Sequence, residues 1–132
     1  MVGLPRSGKT TIVKDYYQKL NGYTVVNPDQ VRLSLHGQRF VASAEPFVWA
    51  TVYTMVDALL KCDCDVVLDG CFNTHKRREP FYKYDPKYHL ITTSKEECIK
   101  RARDTNDLEI ISIIEKMAKE FEPLDEREIE VS

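Results

Sequence analysis

The 132-residue chain lacks any excess of basic charge, any long apolar run and any repeat, and it has only five glycines. Lys and Arg number 19 against 21 Asp and Glu, for a net charge of −2 and a pI near 5.9. Bulk charge therefore does not hold this protein to nucleic acid, and such a contact would need a local basic patch. No apolar stretch approaches the length of a membrane span, so no membrane partner is expected. The N-terminus runs straight into Gly3 and Lys9 without the apolar region of a secretory leader, and a cytoplasmic location is expected. Cysteines number four. Cys62, Cys64 and Cys71 could be read as a soft metal site, but no fourth Cys or His falls at zinc-ligand spacing. The plainer reading is reduced thiols, Cys98 included, in a cytosol-like compartment.

What is present fits a single domain over residues 1–132, with hydrophobic and charged fractions of 42% and 30% that are ordinary for a packed globular chain. Short β-branched runs alternate with helical stretches, which predicts an α/β fold with a parallel sheet. Helices are expected at about Lys9 to Leu20, Gln30 to Leu35, Ala44 to Lys61, from His75 onward, after Ser94, and at Leu108 to Phe121. Strands are expected at Tyr23 to Val26, Asp65 to Asp69, His89 to Thr92 and Ile129 to Val131. Ser94-Lys95-Glu96-Glu97 has the form of a capping box. Only Met1 and Val2 precede Gly3, so the strand that feeds the first turn is expected to be very short or truncated.

The chemistry starts at Gly3-Leu4-Pro5-Arg6-Ser7-Gly8-Lys9-Thr10, which fits G-x-x-x-x-G-K-[ST]. The four fixed positions recur by chance in on the order of one chain in a few hundred, and here an amphipathic helix follows at once. Glycines let successive amides point at one anion, and the helix adds its positive N-terminal end. Lys9 would reach the β- and γ-phosphates of ATP, and the Thr10 hydroxyl would be a ligand for Mg²⁺. Thr11 follows as a further nucleotide contact. Asp69 closes the apolar strand Val66-Val67-Leu68, as the metal-holding carboxylate of such proteins does. Gly70 follows it rather than a second carboxylate that would activate water, which favours transfer to a bound acceptor over hydrolysis.

Asp29 and Arg32 stand just past the second strand, at the sheet edge where open α/β sheets bind ligands. Asp29 could accept the proton of an attacking hydroxyl. Arg32, one turn on, could grip an acceptor phosphate. Spacing alone equally allows a helix cap and a surface arginine. The run Lys76-Arg77-Arg78, with Phe72, Phe81 and Tyr82 nearby, could hold a phosphate backbone and stack a base, or could be a solvated helix start.

Taken in order, Gly3 to Thr10, Asn27-Pro28-Asp29-Gln30-Val31-Arg32, Val66 to Asp69 with Arg77 and Arg78, Cys98-Ile99-Lys100-Arg101-Ala102-Arg103 and the tail Ile114 to Glu126 resemble the small P-loop kinases related to phage polynucleotide 5′-hydroxyl kinase, AAA-like and zeta-toxin-like proteins. The resemblance implies a three-layer P-loop fold, a parallel sheet flanked by helices, with an ATP·Mg²⁺ donor site. It implies Asp29 as general base, Arg32 on the acceptor's phosphate, and a lid in which Arg101 and Arg103 bring positive charge to the transferring group. Three departures stand out. The feeding strand is nearly missing, Gly70-Cys71-Phe72-Asn73 replaces the usual Thr and Asn after the strand-end Asp, and a lid arginine of the relatives falls on Thr105. The expected acceptor is a hydroxyl, first the 5′ end of short or single-stranded RNA or DNA. A nucleoside, sugar or antibiotic, or no acceptor at all in a nucleotide-binding module, remain the alternatives.

Overall fold

The structure is a computed structural model in which residues 1–131 are described. The chain divides into two compact units, Thr10–Gly70 and a second made of Met1–Lys9 with the residues from Cys71 onward.

In Thr10–Gly70 the first helix, α1, starts at Lys9–Ile12 and continues as a π-helix over Val13–Leu20. An unbroken α-stripe was expected here, and the wider π-turn explains the departure. Val13 and Tyr17 turn inward, while Tyr16 and Leu20 are 51% and 72% exposed. Gly22 at φ 70° then lets the chain reverse. Strand β1 (Thr24–Val26) pairs in parallel with β2 (Val66–Leu68), Val25 opposite Val67. Helix α2 spans Pro28–His36, starting two residues before the expected Gln30. The cause is local. Asn27 is the N-cap, its side chain accepting from the amides of Asp29 and Gln30, and Pro28 sits at the first helical position, where its missing N–H costs nothing. Helix α3 (Glu45–Lys61) buries Val48, Val52 and Val56, four residues apart, against β1 and β2, and also packs on α2. Each fully buried Val contributes roughly 1.5–3 kcal/mol.

In the second unit Val2, fully buried, forms a parallel bridge to Leu90. Its amide donates to His89 O at 2.8 Å and its carbonyl accepts from Ile91 at 2.8 Å. The expected strand at His89 to Thr92 is reduced to that bridge. The regular strand lies earlier, β3 at Lys87–Tyr88, because its partner is the chain's tail: β4 (Ile129–Glu130) pairs with it in parallel. Helix α4 (His75–Arg78) passes into a 3₁₀ segment, Glu79–Tyr84. Helices α5 (Lys95–Asp104) and α6 (Glu109–Glu120) pack together around Cys98, Ala102 and Ile114, all fully buried, with Leu4 and Ile110 against them. Ser94 caps α5 through the Glu97 amide at 3.1 Å, but the Glu97 carboxylate does not complete the box. It takes Arg101 Nε at 3.2 Å. None of the four cysteines is in a disulfide. Among the described residues no helix is long and apolar enough to cross a membrane.

Candidate active site

The phosphate loop is built within the second unit. Gly3 is pinned by its amide to Cys71 O at 3.1 Å. A Cβ at Gly3 would meet Ser7 Oγ at 3.0 Å and Ile91 Cβ at 3.1 Å, so only glycine fits this approach. Gly8 has φ +99°, a conformation that side-chain-bearing residues rarely adopt, and a Cβ there would come 3.6 Å from Arg101 Nη1. The Ser7 amide is committed to Leu4 O at 3.2 Å, and Pro5 carries no N–H. Among the described residues this leaves the amides of Arg6 and Gly8, with those of the first turn of α1, as the candidate donors to an anion.

Lys9 is 7% exposed. Its Nζ donates to Leu4 O at 2.6 Å and to Ser7 Oγ at 3.4 Å. No carboxylate lies within ion-pair reach of it among the described residues. Buried charges are normally paired, so a buried ammonium held only by neutral oxygens fits an anionic ligand. Ser7, 4% exposed, is fixed in turn by Thr93 Oγ1, which donates to Ser7 O at 2.9 Å.

Helix α5 meets the loop at the same place. Arg101 Nη1 donates to Arg6 O at 3.2 Å, and Arg6 Nη2 donates back to Arg101 O at 3.2 Å and to Thr105 Oγ1. Arg103 stands two positions further round α5, away from the Arg101 face, exposed and without a side-chain partner among the described residues. Cys98, fully buried beneath, has its thiol pushed up by burial, an effect that Arg101 and Lys9 oppose.

The metal-side and acceptor-side residues lie in Thr10–Gly70. Asp69 is 4% exposed at the end of β2. Its Oδ2 accepts from Thr10 Oγ1 at 3.0 Å and from Asn27 Nδ2 at 3.2 Å. Asn27 thus caps α2 with its oxygen and orients Asp69 with its nitrogen, a role that the sequence reading missed. No cation pairs with Asp69 among the described residues. A buried carboxylate served by a hydroxyl and an amide fits a divalent cation, and Thr10 with Asp69 supplies the hard oxygen donors that Mg²⁺ takes.

Asp29 sits on the first turn of α2, its side chain 73% exposed, and its Oδ1 accepts from Arg32 Nη1 at 2.7 Å. Arg32 is only 15% exposed, and Glu45 takes it in a two-pronged pair, Nε to Oε2 at 3.0 Å and Nη2 to Oε1 at 2.8 Å. Trp49 lies 6.0 Å from the guanidinium. Burial pulls the Arg32 pKa down, but the Glu45 hydrogen bond and charge, with Asp29, outweigh it and leave the pKa raised. Glu45, the second residue that the sequence reading missed, opens α3 just before Pro46. A cavity of about 520 Å³ begins at Thr10, Asn27 and Asp69 and runs between apolar walls that include Val13, Val31 and Met55.

The basic run does not form the expected nucleic-acid surface. Arg78 is 1% exposed, Phe72 6% and Phe81 4%. The two rings meet edge to face at 5.7 Å, so neither can stack a base. Arg78 donates to Phe72 O at 2.6 Å, Glu122 O at 2.8 Å and Glu128 Oε2 at 2.5 Å, and the Tyr82 hydroxyl donates to Glu128 at 2.9 Å. Buried, it ties the chain's tail to α4. Of this run Lys76 is exposed and Arg77 half-buried.

A phosphate loop beside an uncompensated lysine, and a strand-end carboxylate bonded to the loop's threonine, define a P-loop nucleotide-binding protein of α/β fold. A family of AAA domains matches residues 1–124, and the chain belongs to that family. The resemblance to P-loop kinases related to polynucleotide kinase stands with it. Among solved structures, a chain of the Pnkp1/Rnl/Hen1 RNA repair complex superposes with a TM-score of 0.69 at 20% identity, over 92% of this chain. This chain spans 44% of that one. No curated protein matches significantly.

Proposed function

We propose that this kinase-like domain transfers the γ-phosphate of ATP to a hydroxyl, with the 5′-hydroxyl of a short or single-stranded polynucleotide as the leading acceptor. The observation that carries it is Asp69: a buried carboxylate bonded to Thr10 and Asn27, with no lysine or arginine paired to it among the described residues. With Thr10 it would hold Mg²⁺, which neutralises charge on the phosphates when bound. Lys9 binds the β- and γ-phosphates. Asp29, exposed and oriented by Arg32, takes the proton from the attacking hydroxyl. Arg32, aimed by Glu45, holds a phosphate next to that hydroxyl. The RNA repair complex to which the solved neighbour belongs supports the polynucleotide choice.

A small-molecule acceptor has its own support. The cavity beside Thr10 and Asp69 has apolar walls, and Lys14 is the one cation of its lining, which suits an uncharged ring better than a phosphodiester. Labelled-phosphate transfer from ATP to a 5′-hydroxyl oligonucleotide, run against nucleosides, sugars and aminoglycosides, separates the two. Lys9→Ala should abolish transfer. Asp29→Ala should lower the rate about 10²-fold or more while ATP binding persists. An unchanged rate in Asp29→Ala refutes the general-base role.

A further inference from the structure

Three cations gather at the phosphate loop against one acid. Lys9 has only neutral partners. Arg101 has Glu97 on Nε at 3.2 Å, and Arg6 has no carboxylate partner among the described residues. The two arginines are tied crosswise. Each guanidinium donates to the other residue's backbone carbonyl, both at 3.2 Å, and Arg6 reaches Thr105 Oγ1 as well. Thr105 is held in place by its own bonds to Arg101 O at 3.1 Å and Ala102 O at 3.3 Å. Arg6 adopts φ +67°, a left-handed conformation that non-glycine residues rarely take.

Two guanidiniums tied to one another's backbones are held together against their mutual repulsion, with Glu97 the one acid bonded to either among the described residues. Such an arrangement is favourable when an anion with several oxygens shares both. The Arg101 Nη1 atom already lies over Gly8, in the middle of the loop.

We propose that Arg6 is a positioning residue that seats Arg101 on the loop, and that the pair forms a two-guanidinium clamp for a polyphosphate chain, with Thr105 as its anchor. This rests on the reading that Gly3–Thr10 binds a triphosphate. The clamp needs two chain segments only, the loop and the last turn of α5, and no acceptor. It assigns the second cation at the phosphates to the loop residue Arg6 rather than to Arg103.

The test is calorimetric binding of inorganic tripolyphosphate and of ATP with magnesium to the full chain, with thermal unfolding in parallel. Arg6→Gly keeps the backbone conformation at no steric cost and removes the guanidinium. Thr105→Val removes only the anchor. We expect Arg6→Gly to weaken both ligands about tenfold or more, and Thr105→Val by a smaller factor, with melting temperatures close to that of the parent protein. Arg6→Lys, which cannot donate to two partners in one plane, should fail to rescue. Arg103→Ala should bind like the parent. Parent binding with unchanged affinity in Arg6→Gly overturns the clamp and leaves the phosphate-loop reading intact. Loss of binding in Arg103→Ala equal to that in Arg6→Gly overturns the assignment. No binding by the parent protein overturns the clamp together with the reading beneath it.

Discussion

Removing Glu128 should destabilise this protein more than most single changes. Its carboxylate is fully buried against Arg78, whose Nε lies 2.5 Å away and whose side chain is also fully buried. Glu128→Ala leaves the guanidinium facing the carbonyls of Phe72, Glu122 and Pro123 with its paired carboxylate gone. Breaking such a pair costs about 3–5 kcal/mol, a fifth or more of the roughly 5–15 kcal/mol that holds a domain together. For a chain of this size that is a fall of about 10–20 °C in melting temperature. Arg78→Met should cost a similar amount, because it strands three carbonyls. The double variant Arg78→Met/Glu128→Ala should lose at least about 2 kcal/mol less than the two singles summed. Urea unfolding of the four proteins measures this. Strict additivity, or a Glu128→Ala loss under about 1 kcal/mol, would refute the reasoning. Nucleotide affinity should also fall in Arg78→Met, since Arg78 fixes Phe72 O, and Phe72 follows Cys71, whose carbonyl pins Gly3.

Gly8→Ala should weaken ATP binding by about tenfold or more while the chain stays folded, because φ +99° is closed to alanine and the new methyl faces Arg101; calorimetry at equal affinity would contradict this. Glu45→Gln should raise KM for a phosphate-bearing acceptor several-fold and leave ATP binding unchanged, since it loosens the two-pronged hold on Arg32; steady-state kinetics with an unchanged acceptor KM would remove Glu45 from the site. The pH dependence has two limbs. Burial raises the Glu128 carboxyl, but the Arg78 hydrogen bond, with the Asp125 amide and Tyr82, overrides it and holds the pKa below its ordinary 4.5, so its contribution is whole above that value and is lost as pH falls through the folded one. Burial and the Glu128 hydrogen bond push Tyr82 up to about 12 from 10.0, so its contribution is whole below 10 and is lost as pH climbs towards about 12. Tyr82→Phe should flatten the alkaline limb of a stability-against-pH curve and leave the acid limb in place; an unchanged alkaline limb would refute the assignment.

Local patterns carried the elements that local physics decides. Ser94 capped its helix as its spacing predicted, the apolar run at Val66 became a strand over Val66–Leu68 with Asp69 directly after it, and Asp29 and Arg32, one turn apart, meet at 2.7 Å. Where a partner lies far along the chain, the pattern misled. Lys76-Arg77-Arg78 reads as a surface patch because charge usually is solvated, yet Arg78 is buried by Glu128, 50 residues on. The strand expected at His89 moved to Lys87 because β4, near the chain's end, sets its register. The π-turn from Val13 leaves no mark in the apolar spacing, which fits an ordinary α-helix equally well. Asn27 could have been found: Asn-Pro at a helix start is a legible cap, and only the late helix boundary hid it.

Net charge and site charge point in opposite directions here, and distance decides between them. At physiological ionic strength the Debye length is about 8 Å, so the acidic residues that give the chain its −2 act weakly on a ligand unless they sit beside it. Beside the phosphate loop sit Lys9, Arg6 and Arg101, and Glu97 is the single carboxylate that pairs with any of them among the described residues. Burial sharpens the contrast, because Lys9 is screened far less than an exposed lysine would be. A compact polyanion such as a triphosphate spans only the cations and takes their full attraction. A long nucleic acid duplex would extend beyond them over the acidic remainder of the surface. The same arithmetic that argues against bulk binding to nucleic acid therefore favours a compact anion at the loop and agrees with the short or single-stranded acceptor proposed above.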